Sequence, residues 1–180
     1  MKLTGTLSKP TFATFEKIDL SLFDWLHFEG RNVTELAKML EHCRQNSPNV
    51  PISLEIEKPR DGIESLSGMA DWLFFSRAYA ESKGYRLAED LFDDLCHAHS
   101  ATCTWGAEGA YGWHNAQMIF CPATKIPKAV DSLGAGDTFN AGMIHSLLAK
   151  KSLNDSLQFA SQLAANKCQQ YGFENLVKSL

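Results

Sequence analysis

A chain of 180 residues, 44 % of them hydrophobic, carries enough apolar side chain for one packed domain. Its 17 Lys and Arg against 21 Asp and Glu leave a net charge of −4 with no basic cluster, which argues against nucleic acid as a partner. The opening MKLTGTLSKP lacks the apolar core of a signal peptide and no apolar run reaches bilayer length, so a cytoplasmic protein without membrane association is expected.

In chain order, "LFDWLHFEG" reads as a buried strand ending at Gly30, and "NVTELAKMLEHC" as a helix whose Leu36, Met39, Leu40 and Cys43 share one face. Asn32 and Glu35 have capping-box spacing at its start. "VPISLEIE" alternates as a strand, "DWLFFS" is a short buried run, and "LAEDLFDDLCHA" places Leu87, Leu91, Leu95 and Ala98 at helical spacing. "ATCTWG" is a strand ending in glycine, and "AQMIFC" is the returning arm of a hairpin around His114 and Asn115.

Two helices close the chain. The first runs from about Gly136 to Lys150 with Phe139, Met143, Ile144, Leu147 and Leu148 apolar, and the second from about Asn154 to Tyr171. Ser152 and Asp155 have capping-box spacing, and Gly172 stands where a helix stop belongs. The alternation of strands and helices predicts an α/β fold with a largely parallel sheet. Without an internal repeat, low-complexity tract or linker, residues 1–180 read as a single domain.

Five cysteines, Cys43, Cys96, Cys103, Cys121 and Cys168, are odd in number and form no CxxC pair. They read as reduced, mostly buried thiols rather than a disulfide framework or a zinc site. The six histidines (His27, His42, His97, His99, His114, His145) show no metal-ligand spacing beyond the His97/His99 pair and read as surface or core residues.

The chemistry concentrates in "VDSLGAGDTFNAG", Val130 to Gly142. In Leu133-Gly134-Ala135-Gly136-Asp137 small residues let backbone N–H groups approach an anion, and the following helix adds the positive end of its dipole. It is no Walker A loop, because the lysine that motif requires is missing. Such donors stabilise a phosphoryl group in transfer, and Asp137 is placed to accept the proton of an attacking hydroxyl. Taken alone, the same glycines also fit a purely structural helix entry.

Two further stretches keep two readings each. Glu29-Gly30-Arg31-Asn32 follows a strand end, the edge at which open parallel sheets bind ligands, so Arg31 either meets phosphate or sugar or is a surface cation beside a cap. Thr104-Trp105-Gly106-Ala107-Glu108-Gly109 is a T-x-G-x-x-G turn whose glycines admit a phosphate or simply enter a hairpin.

Asp131 to Asp137, D-S-L-G-A-G-D, resembles the C-terminal signature of the ribokinase-like (PfkB-type) sugar kinases. Within that family the chain is most similar to the ketohexokinase branch, through "FEKIDLSLFDWLHFEGRN", "EIEKPR", "GAGDTFNAG" and "LAANKCQQYGF", from about Thr14 to Leu176. The resemblance implies a ribokinase-like open sheet flanked by helices and transfer of the ATP γ-phosphoryl group to a ketose hydroxyl, fructose to fructose 1-phosphate. By it Asp137 is the catalytic base, and Gly134, Ala135 and Gly136 form the anion hole. Trp105, Gly106 and Gly109 lie along the nucleotide, Ala164 and Cys168 beside the adenine, and Arg31 and Asp131 at substrate or phosphate. ATP and Mg2+ are the implied cofactors, and the family dimerises.

Members of that family are longer, and the resemblance implies that the N-terminal strands, the β lid that forms the dimer contact and most sugar contacts are missing here. Where many relatives carry an N-x-x-E motif for magnesium, Ser76-Arg77-Ala78-Tyr79 stands, so magnesium is expected to be held mainly through the ATP phosphates. An incomplete sheet predicts an exposed edge and association. The alternatives are a catalytically silent nucleotide-binding or interaction module, and a kinase for another sugar or nucleoside.

Overall fold

The computed structural model describes residues 11–96 and 99–177. His97 and Ala98 lie outside them. The elements are α1 (Phe12–Phe15), β1 (Leu26–Glu29), α2 (Val33–Asn46), β2 (Ile52–Ile56), β3 (Trp72–Ser76), α3 (Arg77–Ser82), α4 (Ala88–Leu95), β4 (Ser100–Thr104), β5 (Gly109–His114), β6 (Gln117–Pro122), α5 (Ala135–Leu148) and α6 (Leu153–Cys168). The strands form one sheet in the order β1-β2-β3-β4-β5-β6. β1 to β4 are parallel, whereas β5 and β6 fold back antiparallel.

Side-chain alternation divides the core into two layers. Leu73 and Phe75 of β3 join Leu54, Ile56, Leu40, Leu91 and Phe92 on the face covered by α2 and α4. Trp72 and Phe74 point the other way, onto Phe139 and Met143 of α5 and Leu157 and Ala160 of α6. β3 is therefore apolar throughout because both of its faces are covered, as in other parallel sheets. This is a mixed α/β architecture, with the six-stranded sheet sandwiched between helices.

The buried residues of α2 are Leu36, Met39, Leu40 and Cys43, the face its periodicity predicts. Its start differs from expectation, since Asn32 makes no side-chain cap. The Glu35 carboxylate instead accepts the Phe12 N–H at 2.7 Å and the Lys38 ammonium at 2.7 Å, so partners from outside the first turn displace the capping box. At α6 the expected N-cap forms, with the Ser152 hydroxyl accepting the Asp155 N–H at 3.1 Å, but the Asp155 carboxylate accepts that hydroxyl at 2.7 Å where a capping box would have it accept the Ser152 N–H.

α4 begins only at Ala88, leaving Leu87 extended and exposed. α6 ends at Cys168, with the Gln169 N–H closing the last turn, so Gly172 lies beyond the stop. The β5–β6 hairpin turns at Asn115 and Ala116, both at positive φ (51° and 57°), the geometry of a two-residue turn that matches strand twist. α3 and the 3₁₀ run Ile63–Met69 were not anticipated, being too short for a helical period to register. All five cysteines are unpaired thiols, four of them buried and Cys168 half-buried. No helix among the described residues is long and apolar enough to cross a membrane.

Candidate active site

The candidate site lies at the start of α5, which is tied to the carboxyl end of β2. β1 passes into Gly30, whose N–H donates to the Glu55 carbonyl at 2.8 Å, so the ends of β1 and β2 are locked side by side. Opposite them Gly134 adopts φ 79°, ψ 9° and turns the chain into α5. A side chain at that φ would be strained, and glycine is not.

The turn is pinned locally. Ala135 N–H donates to the Ser132 carbonyl at 3.1 Å, and the Gly134 carbonyl accepts both the N–H and the hydroxyl of Thr138, at 2.9 and 2.8 Å. The first-turn amides of Gly136 and Asp137 have no helical acceptor behind them, the arrangement that receives an anion. A Cβ on Gly136 would have no atom within 4 Å, so the space beside its Cα is open. The Asp137 carboxylate folds back beside the turn, its Oδ2 3.8 Å from where a Gly134 Cβ would stand.

One helical turn after Asp137, the Asn140 amide donates to Glu55 Oε1 at 2.9 Å. Burial pushes the Glu55 carboxyl up to about 7, and the charge of Asp137 adds to the rise, while the Asn140 bond opposes it. His27 feels the same charge: burial lowers its imidazole, and Asp137 works against that shift. Its Nδ1 meets the Ser53 hydroxyl at 2.8 Å, which also accepts the Trp25 indole N–H at 2.8 Å. A mainly apolar cavity of about 410 Å³ opens beside the carboxylate, lined by Asp137, Thr138, Ala141, Leu163, Phe173 and Leu176 among others.

The other candidates have local contacts of their own. Arg31 lies just past β1, exposed and paired with Glu29. Asp131 Oδ1 accepts the Leu133 N–H at 3.0 Å, and its Oδ2 accepts the Lys167 ammonium at 2.9 Å, which holds the Asp131 carboxyl below the usual range. In the turn after β4 the Trp105 N–H donates to the Gly109 carbonyl at 2.7 Å. The Trp105 ring is buried, with the Arg77 guanidinium 5.5 Å over it. Gly106 has φ 63°. Arg77 also pairs with Glu81 and Glu108, both at 2.7 Å, and so joins the end of β3 to this turn.

Ala164 and Cys168 lie on α6. Ala164 packs against the second core layer, and the Cys168 carbonyl accepts the N–H groups of Val130 and Asp131 at 2.7 and 3.2 Å. Glu55, His27 and Asn140 were not among the residues read as functional. The available signal for Glu55 is a lone carboxylate near the carboxyl end of an apolar strand, I-S-L-E-I.

Residues 2–179 match the family model for pfkB family carbohydrate kinases. Mouse ketohexokinase is 36 % identical over 174 residues, covering 91 % of this chain and 58 % of its own. The fold is shared with adenosine kinase of Sinorhizobium meliloti (TM-score 0.74, 19 % identity, 93 % of this chain and 54 % of that one). It is shared too with ribokinase of Cryptococcus neoformans var. grubii serotype A in complex with ADP (TM-score 0.72, 18 % identity, 91 % and 62 %). The chain thus spans between about half and two thirds of the length of these relatives. It belongs to the pfkB family of carbohydrate kinases.

Proposed function

We propose that this chain carries the phosphoryl-transfer part of an ATP-dependent kinase of the ketohexokinase type, which moves the γ-phosphoryl group of ATP to a ketose hydroxyl, fructose to fructose 1-phosphate. The observation that carries the reading is the Asp137 carboxylate beside first-turn amides of α5 that lack a helical acceptor. Asp137 takes the proton of the sugar hydroxyl as its oxygen bonds to the γ-phosphorus. The bond from that phosphorus to the bridging oxygen breaks, and ADP leaves with the electron pair. The turn amides and the α5 dipole meet the charge that develops on the transferred group.

Magnesium supplies charge neutralisation when bound. Among the described residues no group of three or more His, Cys, Asp or Glu side chains converges on a metal position. In this reading the ion would be held mainly through the ATP phosphates. Glu55, tied to α5 by Asn140, stands next to the base and offers a second hydroxyl an acceptor. The choice of ketose rests on the 36 % identity to ketohexokinase.

The test is coupled ADP release by the purified chain with Mg-ATP, with and without fructose, beside Asp137→Asn. Fructose-dependent release that disappears in the variant supports the proposal. Turnover on ribose or a nucleoside alone moves the substrate, and ATP binding without turnover makes the chain a nucleotide-binding module. Equal turnover in the variant removes Asp137 from the role of base.

A further inference from the structure

The last turn of α6 holds an ammonium group away from water. Lys167 is only 1 % exposed, and a buried charge persists only where other groups replace its hydration. Its three N–H donors find three oxygens: Asp131 Oδ2 at 2.9 Å, the Asp131 carbonyl at 3.1 Å and the Gln170 carbonyl at 3.4 Å. The Phe173 ring lies 5.4 Å away, face toward the cation.

Two of these partners, Asp131 and Phe173, belong to or touch the turn ahead of α5. The carboxylate that binds Lys167 through Oδ2 binds the Leu133 N–H through Oδ1. The carbonyl next in sequence to Lys167, that of Cys168, accepts the N–H groups of Val130 and Asp131. Phe173 presses on Gly134 so closely that a Cβ there would stand 2.5 Å from its Cζ.

We propose that Lys167 is a positioning residue: its ammonium, caged by Asp131 and Gln170, fixes the Asp131–Gly136 turn so that the amides beside Asp137 are aimed before substrate arrives. The proposal rests on the reading of that turn as the phosphoryl site. Preorganisation of this kind matters because donors that must be reoriented during the reaction lose most of their effect. An exposed ion pair could not do it, since water and salt would compete for both partners.

The experiment is amide hydrogen exchange on the whole chain, parent against Lys167→Met and Lys167→Ala, with and without methylammonium. Exchange at residues 130–136 is expected to rise about tenfold or more in both variants while β2 to β4 keep the parent rate, because the loss is local. Methylammonium, which refills the cage in Lys167→Ala, restores slow exchange, and tetramethylammonium, which has no N–H, does not. Parent-like exchange at 130–136 overturns the proposal, as does a rise spread evenly over the strands.

Should the lysine variants fail to fold, Asp131→Asn keeps the ammonium and both carbonyl acceptors, and the same local rise is expected of it. Mg-ATP affinity is measured alongside. A parent that binds Mg-ATP should lose about tenfold or more in Lys167→Met and regain it with methylammonium in Lys167→Ala. A parent that binds none removes the phosphoryl-transfer reading, while the exchange data still decide whether Lys167 holds the turn.

Discussion

Asn140 donates a 2.9 Å hydrogen bond to Glu55 across 85 positions of sequence, from the helical turn that follows Asp137. The bond joins the end of β2 to the start of α5 and puts two carboxylates into one electrostatic unit. Asp137 raises the Glu55 proton affinity and Asn140 lowers it. Asp137→Asn should therefore move the Glu55 titration below about 7 and Asn140→Ala should move it higher. Carboxyl ¹³C titration of glutamate-labelled protein reads both, and shifts of the same sign would break the proposed unit.

The same group makes stability depend on pH. Below the ordinary 4.5 Glu55 holds its proton in both states, and above about 7 it has lost it in both. Between those values the unfolded chain has released the proton and the folded chain retains it, so stability falls as pH rises. Glu55→Gln should remove this component, which urea unfolding midpoints between pH 4.5 and 7 will show as a flatter profile than the parent's.

Two glycines of the site should respond oppositely to alanine. Gly136→Ala places a methyl in open space within a helix, so stability should hold or rise by up to about 1 kcal/mol. On the proposed reading the methyl crowds the anion, and phosphoryl transfer should fall by about a hundredfold or more, the scale of losing one such donor. ADP release and thermal unfolding on one preparation separate the two effects.

Gly109 has φ 140°, and a Cβ there would collide with the Cys121 carbonyl and come within 2.9 Å of the backbone at Pro122 and Ala123. Gly109→Ala should cost about 3 kcal/mol or more, because neither hairpin strand can yield without losing its ladder. Denaturant unfolding measures it, and a parent-like midpoint would mean that the hairpin can shift its register.

β1 bounds the sheet among the described residues, and Ile18, Leu22 and Phe23 ahead of it are exposed, Leu22 by 77 %. An open edge beside apolar surface favours association. Leu22→Lys should raise the monomer fraction in sedimentation velocity without changing the unfolding midpoint, since the side chain contributes little to the core.

Much of this molecule was legible in its order of residues. The buried face of α2, the strands around the core, the Ser152 cap and the helix entry at Gly134 all depend on neighbours within a few positions, where periodicity and turn chemistry act. The D-S-L-G-A-G-D string likewise marked the glycine turn ahead of α5 and the Asp137 carboxylate beside it.

Tertiary structure decided the partners. Glu35 left its own helix cap for the Phe12 N–H, Asn140 found Glu55 across the sheet edge, and the Lys167 ammonium closed on Asp131 from 36 positions away. No local pattern encodes such pairings, because they depend on which strand ends lie side by side and how α6 crosses α5. That geometry is set by burying both faces of one sheet, a condition that the whole chain satisfies together.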